Sequence, residues 1–164
     1  MNDGTMDITL YLNGATRKVT IQSGEHLVDT LRGLGCTGVK RGCGKGTCGS
    51  CAVLLNGRLV TSCIVFSASA DGAEVTTIEG LGTITEPHPI QQAFVNAGAV
   101  QCGFCTPGMV LATKALLDRI PNPSEEQIKQ ALDGNLCRCT GYIKIIEAVK
   151  EAATLLQTQD KEGR

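Results

Sequence analysis

Aromatic side chains, long apolar runs and excess charge are all scarce in this sequence. Only 3% of its 164 residues are aromatic and tryptophan is absent, so the core must be built from aliphatic residues and from whatever the cysteines hold. The net charge of −1 lacks the excess of positive charge that nucleic-acid binding requires. No apolar run reaches the roughly 20 residues of a membrane-spanning helix, so we expect no membrane span. The N-terminal residues lack the basic region and apolar core of a secretion signal, which favours a cytoplasmic protein.

Cysteine, by contrast, is abundant, with nine in the chain. A disulfide framework is typical of small secreted domains and does not suit a chain without a secretion signal. Structural zinc is the stronger alternative, because C-x2-C pairs are common in zinc sites. The tight Cys137-Arg138-Cys139 pair and a glycine-rich cysteine loop fit zinc less well. A zinc-stabilised interaction module without redox function stays open at this point.

Three cysteines, Cys43, Cys48 and Cys51, lie in a nine-residue stretch that is rich in glycine. With Cys63, twelve residues further on, they have the C-x4-C-x2-C plus distant-cysteine spacing of a plant-type 2Fe–2S ferredoxin site. A loop folded around an inorganic cluster needs backbone with positive φ and amides close to the sulfurs, and glycine permits both. The spacing therefore predicts an iron–sulfur site.

A predicted hairpin brings Cys63 to this loop. Asn56-Gly57 lies between two apolar runs, which is a strong hairpin signal. A two-residue turn pairs Leu55 with Arg58, and counting back sets Cys51 opposite Ser62. Cys63 then lies within one ladder step of Cys51, where opposite Cβ atoms are about 5 Å apart.

The first half of the chain has the pattern of an α+β unit. Its predicted elements are a strand, a turn, a second strand, a helix start and a final strand, at residues 8–12, 13–14, 16–22, 23–25 and 74–77. Two hairpins with a helix across one sheet make a β-grasp arrangement. We expect this ferredoxin-like domain to cover residues 1–78.

The second half is predicted to be a four-helix bundle over residues 87–164, after a linker at residues 79–86. Thr106-Pro107 is predicted as an N-cap followed by proline at the first helical position, and Ser124 to Gln127 as a capping box. The other two helices are expected to begin near Pro89 and Tyr142. The last is expected to end at Leu156, before a polar tail.

A second set of cysteines precedes two of these helices. Cys102 and Cys105 lie just before the helix at Pro107, and Cys137 and Cys139 lie just before the last helix. Helices lying side by side would bring the four thiols together at two N-termini. Because free amides and partial positive charge at helix N-termini favour an anionic thiolate cluster, this geometry favours a second iron–sulfur site. On spacing alone, zinc remains possible here.

Three long motifs, at residues 42–51, 101–109 and 135–142, resemble the iron–sulfur subunit of molybdenum hydroxylases. That family includes xanthine dehydrogenases, aldehyde oxidoreductases and carbon monoxide dehydrogenases of the molybdenum type. The resemblance covers about residues 8–156, with the motifs in the right order and spacing. Ser50, Ala52 and Cys36 depart from the usual pattern, and none of them is a proposed ligand.

The resemblance implies two 2Fe–2S clusters, bound by Cys43, Cys48, Cys51 and Cys63 in one domain and by Cys102, Cys105, Cys137 and Cys139 in the other. It also implies that Gln101 and Cys139 approach the molybdopterin of a large subunit, and that the ferredoxin-like cluster lies nearer the FAD of a medium subunit. Electrons would pass from molybdenum through both clusters to flavin. The expected assembly is a heteromer such as a dimer of heterotrimers.

No catalytic acid, base or nucleophile is expected in this chain, because the substrate chemistry would occur on another subunit. A free-standing double-cluster electron carrier is the main alternative. His26 and His88 are interpreted as helix-start residues, and Cys36 as a small buried hydrophobic residue. The pattern leaves the substrate and the final electron acceptor open.

Overall fold

A computed structural model describes residues 4–162 of the chain. The N-terminal half is a five-stranded mixed sheet with one α-helix, and the C-terminal half is helical. The strands and the first helix are β1 (Thr5–Leu12), β2 (Ala15–Gln22), α1 (Leu27–Gly33), β3 (Ala52–Leu55), β4 (Arg58–Thr61) and β5 (Glu74–Thr76). The order of strands across the sheet is β2-β1-β5-β3-β4.

Both predicted hairpins form. Asn13 and Asn56 have φ of 50° and 49°, and the glycine after each is also at positive φ, as a tight two-residue hairpin turn requires. Leu55 pairs with Arg58, which is the predicted register. Strand β5 lies between the hairpins, parallel to β1 and antiparallel to β3, and so joins them into one sheet. The predicted α+β class with a β-grasp sheet is confirmed.

Helix α1 begins later than predicted, at Leu27 instead of residues 23–25. The preceding residues are held in an extended arrangement against the segment after β4. The Ser67 amide donates to the carbonyl of Glu25 at 2.8 Å, and His26 forms a bridge with Phe66. Because these backbone groups pair outside the helix, helical geometry starts only after His26.

The four predicted helices are present as α2 (Pro89–Asn96), α3 (Thr106–Arg119), α4 (Glu125–Leu132) and α5 (Ile143–Glu162). Two details differ from expectation. The N-cap of α3 is Cys105, not Thr106. Helix α5 continues six residues past the predicted end at Leu156, so the predicted polar tail is helical as far as the structure describes it, and residues 163–164 lie outside the described residues.

Each half of the molecule has its own apolar core. The first core lies between the sheet and α1 and includes Leu10, Leu31 and Val53. The second lies among α2 to α5 and includes Phe94 and Met109, with Ile78 and Leu81 packed at its edge. We call these the sheet lobe and the helical lobe. Helix α3 packs against β3 and β4, which holds the two lobes together. Among the described residues, no helix is long and apolar enough to cross a membrane.

Candidate iron–sulfur sites

The first site is the loop between α1 and β3, and its backbone amides point at sulfur. The amides of Lys45 and Thr47 donate to the Sγ atom of Cys43 at 3.3 and 3.4 Å. The amide of Gly46 donates to the Sγ atom of Cys63 at 3.3 Å. The loop therefore surrounds two of the predicted ligands with N–H donors, which favour thiolate over thiol.

The thiols of this site have very different acidities. The side chain of Thr47 and the amides of Lys45, Thr47 and Cys48 lower the pKa of Cys43 to about 5. Burial, supplemented by the neighbouring thiol of Cys63, raises the pKa of Cys51 to about 11. At neutral pH the Cys51 thiol therefore keeps its proton, and a metal must displace that proton to bind there. Cys43 is already a thiolate and can bind a metal directly.

Cys63 reaches the site from a 3₁₀ turn over Ser62–Ile64, and not from strand β4 as the ladder count suggested. The turn forms because Ser62 donates twice to the carbonyl oxygen of Cys51, from its amide at 3.3 Å and from its hydroxyl at 2.7 Å. Cys51 and Ser62 thus lie opposite each other, as predicted. The bend then directs Cys63 inward, where its exposed fraction is 3%.

Two glycines of the loop are required for different reasons. Gly46 has φ of 77°, and a Cβ atom there would lie 2.9 Å from the side chain of Ile64. Gly42 is needed for space alone, because a Cβ atom there would lie 2.9 Å from the Sγ atom of Cys48. A larger residue at Gly42 would press on the Sγ atom of Cys48, whereas at Gly46 the positive φ is the stricter limit, because the end of the Ile64 side chain can move aside.

The second site brings together the four cysteines of the helical lobe. The Sγ atoms of Cys102 and Cys139 lie 3.6 Å apart although 37 residues separate them in the chain. Thr140 donates to the Sγ atom of Cys137 from its hydroxyl at 3.1 Å and from its amide at 3.4 Å. Cys105 stands at the N-terminus of α3, beside Cys137. The expected convergence of the two pairs is therefore present.

Burial and hydrogen bonding divide these thiols. Burial and the adjacent Cys137 thiol raise the pKa of Cys105 to about 12. Burial also acts to raise the pKa of Cys137, but the hydrogen bonds from Thr140 outweigh it and lower that pKa to about 7. The amide of Phe104 lowers the pKa of the exposed Cys102. Each site thus contains at least one thiol whose pKa is raised by burial and at least one whose pKa is lowered by hydrogen bonds.

The outer edge of the second site is open. Cys102, Cys139 and Gln101 are exposed, whereas Cys51 and Cys63 of the first site are buried. Several apolar side chains beside the second set of cysteines in the sequence are also exposed: Val100, Phe104, Leu136 and Ile143. We call these four residues the apolar rim.

The thiols meet in pairs, which suits two-iron clusters. Among the described residues, no three His, Cys, Asp or Glu side chains converge as ligands of one metal ion. Two sulfurs on one tetrahedral metal, each about 2.3 Å from it, lie about 3.7 Å apart. The 3.6 Å between Cys102 and Cys139 matches that distance. A cluster with two cysteines on each iron fits this donor set.

Sequence reasoning missed three polar residues that support the sites. Thr140 donates to Cys137, the Tyr142 hydroxyl accepts from the amide of Cys137 at 2.9 Å, and Asn135 is buried between the two cysteine loops. Their position inside the motif at residues 135–142 was the available signal. Both histidines are N-caps, as predicted, and Cys36 is buried in the sheet-lobe core.

Comparison with protein-family models matches both lobes. A model described as a 2Fe-2S iron-sulfur cluster binding domain covers residues 10–77, and one described as a 2Fe-2S binding domain covers residues 77–150. The fold and the two cysteine-lined sites thus define a protein with two 2Fe–2S-binding domains. This result decides against the zinc-stabilised module.

Individual relatives narrow the class. The chain is 50% identical to the nicotinate dehydrogenase small FeS subunit of Eubacterium barkeri, covering 88% of this chain and 93% of the relative. It is 42% identical to the aldehyde oxidoreductase of Megalodesulfovibrio gigas, covering 93% of this chain but 17% of that longer one. In the solved quinoline 2-oxidoreductase of Pseudomonas putida 86, one chain is similar with a TM-score of 0.91 and 37% identity, over 95% of this chain and 98% of that one.

The chain belongs to the iron–sulfur small subunits of the molybdenum hydroxylase family. Its function is that of an electron-transfer subunit of such an oxidoreductase, as predicted. Relatives occur both as separate small subunits and as parts of longer chains. Membership in this family favours the subunit over the free-standing electron carrier.

Proposed function

We propose that eight of the nine cysteines bind two 2Fe–2S clusters, four in each lobe. We also propose that the ferredoxin-like domain ends at residue 78 and that the helical domain begins at residue 87, after a linker at residues 79–86. Cys43, Cys48, Cys51 and Cys63 would hold the first cluster, and Cys102, Cys105, Cys137 and Cys139 the second. The amide donors to Cys43 and Cys63 and the Thr140 donors to Cys137 support this assignment, because hydrogen bonds to sulfur stabilise the anionic site.

The pairing of thiols supports a division of ligands between irons. Cys102 and Cys139 would share one iron of the second cluster, leaving Cys105 and Cys137 for the other. In the first site, Cys51 and Cys63 interact directly, and the amide of Cys48 faces the thiol of Cys43. When bound, each cluster accepts and releases one electron at a time, with a potential set by hydrogen bonding, charge and burial.

The exposed edge of the second site is proposed to face a molybdopterin-binding large subunit. Gln101 and Cys139 would approach the pterin, which is consistent with their exposure. The apolar rim, which lies beside the second set of cysteines in the sequence, supports burial by a protein partner, since exposed apolar side chains at a functional site are typical of interaction surfaces. The first cluster would then pass electrons to an FAD-binding medium subunit.

A cytoplasmic heteromer, such as a dimer of heterotrimers, is the proposed context. All nine cysteines are free of disulfide bonds, which suits a reducing compartment. The substrate would be selected by the large subunit. In this arrangement, the chain contributes electron transfer and no substrate-converting residue.

The observation that carries this proposal is the convergence of Cys102 and Cys139 at 3.6 Å across two separate motifs. The test is iron and acid-labile sulfide analysis of the whole chain, produced without oxygen. We expect about four of each per chain, and two distinguishable EPR signals after reduction. Zinc, or only two irons, would contradict the proposal.

Single substitutions separate the two clusters. We expect Cys139→Ser to damage the second cluster and leave the EPR signal of the first, and Cys43→Ser to do the reverse. The difference arises because no cysteine is shared between the proposed sites. Loss of both signals from either folded variant would show that this division of ligands is wrong.

A further inference from the structure

The two cysteine loops touch each other through a small buried contact between the lobes. The side chain of Asn135, 3% exposed, donates from Nδ2 to the carbonyl oxygen of Gly49 at 3.2 Å, across 86 residues of sequence. The amide of Leu136, one residue after Asn135, donates to the carbonyl oxygen of Cys48, one residue before Gly49, at 3.0 Å. Cys48 belongs to the first site, and Leu136 precedes Cys137 of the second.

Close packing at two glycines, Gly49 and Gly108, restricts the geometry of this contact. A Cβ atom on Gly49 would lie 2.5 Å from both Asn135 Nδ2 and the carbonyl oxygen of Gly134. A Cβ atom on Gly108, in the first turn of α3, would lie 2.4 Å from the carbonyl oxygen of Gly49. The backbone of the first loop thus packs closely against α3 and residues 134–135. The absence of side chains at Gly49 and Gly108 permits this close approach.

Asn135 is itself anchored to the second site. Its amide donates to the carbonyl of Leu132 at the end of α4, and its carbonyl accepts from the Tyr142 hydroxyl at 3.3 Å. The same hydroxyl accepts from the amide of Cys137 at 2.9 Å. Asn135 therefore joins a rigid frame around Cys137 to the backbone beside Cys48.

We propose that Asn135 is a positioning residue for electron transfer, and that its side-chain amide holds the Gly49 carbonyl beside the hydrogen bond from Leu136 to Cys48 and so fixes the distance between the two sites. The inference rests on the proposed function, because only a relay needs that distance to be constant. The hydrogen bond from Leu136 to Cys48 joins backbone to backbone, whereas the side chain of Asn135 adds a donor directed at the carbonyl of Gly49 alone.

The test uses the whole chain with both clusters loaded and reduced. Asn135→Leu keeps the branching at Cγ and the number of side-chain heavy atoms, adds no charge and removes the donor. We expect it to keep the iron content and both EPR signals of the wild type, and to lose the magnetic interaction between the clusters, seen as signal splitting or as faster spin relaxation. Asn135→Asp, which also lacks the donor, should behave in the same way.

Thr113→Val is the matched control. Thr113 is also a fully buried polar residue of the helical lobe, but its hydroxyl bonds within α3, to the carbonyl of Met109 at 2.8 Å. We expect this variant to lose stability without losing the magnetic interaction. A purely structural role of Asn135 would give both residues the same outcome.

Gly108→Ala reaches the same contact without altering Asn135, by pushing on the Gly49 carbonyl. It should lose the interaction too, and it serves if Asn135 variants do not fold. An undiminished interaction in any fully loaded variant of Asn135 or Gly108 would overturn the inference. Failure of the wild-type chain to bind about four irons would instead refute the proposed function.

Discussion

At the second site, Thr140 uses its hydroxyl group twice. The hydroxyl donates to the Sγ atom of Cys137 at 3.1 Å and accepts from the amide of Tyr142 at 3.2 Å. The second bond orients the first, because an oxygen held by a backbone amide keeps its proton directed at the sulfur. Tyr142 has φ of 70°, an uncommon conformation that this turn imposes.

Removing the Thr140 hydroxyl should lower the reduction potential of the second cluster. A hydrogen bond to sulfur stabilises the more negative, reduced state, and one such bond contributes about 0.5–1.5 kcal/mol. For one electron this corresponds to roughly 20–60 mV. We expect Thr140→Val to shift the midpoint of the second EPR signal downward by that amount, with the first signal unchanged.

Thr140→Ser is the control, since it keeps both hydrogen bonds and removes only a methyl group. Its midpoint should stay near that of the wild type. Equal shifts in the valine and serine variants would mean that packing, and not the hydroxyl, sets the effect.

The candidate cysteine ligands are evident in the sequence, but the residues that support them are not. Cys43, Cys48 and Cys51 lie in one short loop, so their spacing alone carries the chemistry. The partner of Asn135 is Gly49, and that pairing exists only because the lobes dock. No local pattern encodes a contact between two loops so far apart in the chain.

The bend that carries Cys63 inward was missed for a related reason. A strand pattern continues to Thr61, and the hydroxyl of Ser62 then ends it.

Among the secondary-structure elements, helix α2 depends on a titratable cap. The Nδ1 atom of His88 accepts from the amide of Ile90 at 3.2 Å, and the amide of His88 donates to the side chain of Gln91 at 2.9 Å. Nδ1 can accept only while the imidazole is neutral. Burial, together with the charge of Lys114 and against that of Asp118, lowers the pKa of His88 and so favours the neutral ring.

The stability of the helical lobe should therefore fall as the solution is made mildly acidic. A base whose pKa is lowered in the folded state stabilises the fold fully above its ordinary value of 6.5, and this contribution is lost as the pH drops below that value. A helix cap contributes about 1 kcal/mol. We expect the unfolding midpoint to drop by about 2–4 °C between pH 8 and pH 5 through this group.

His88→Asn keeps a capping side chain that does not titrate, so this part of the pH dependence should disappear. His26→Asn is the matched control, because His26 caps α1 without a side-chain hydrogen bond. Circular dichroism melting curves at several pH values measure both variants. A wild-type slope in His88→Asn would contradict the assignment.

Helix boundaries agree with the sequence-based prediction where local hydrogen bonds determine them. They differ from it where residues distant in the sequence supply the hydrogen bonds. The Ser124 capping box formed as predicted, because all its bonds lie within four residues. The start of α1 moved because residues 25–26 pair with the segment at Phe66 and Ser67, which only the folded sheet lobe brings near. Cys105 replaced Thr106 as N-cap of α3 within the loop that brings the second set of thiols together.

At the scale of the whole molecule, the two lobes differ in how much of their site they leave uncovered. The sheet lobe buries Cys51 and Cys63, whereas the helical lobe exposes Cys102 and Cys139 beside the apolar rim. Exposed apolar side chains near a functional site are typical of a surface that a partner covers. Substitutions in the rim should therefore weaken the association with partner subunits more than they weaken the folding of this chain.

We expect the double variant Leu136→Ser with Ile143→Ser to fold and to bind both clusters but to lose its partner subunits. The two side chains are 55% and 68% exposed, so the isolated chain loses little by their removal. If a partner buries the exposed part of each side chain, each contributes about 1–2 kcal/mol, and losing both weakens association by roughly 20-fold or more. Co-purification of the tagged chain with the proposed molybdopterin-binding and FAD-binding subunits measures the loss. Val95→Ser, at an equally exposed position on α2 (66%), should retain the partners, and retention by the double variant as well would show that the complex covers another face.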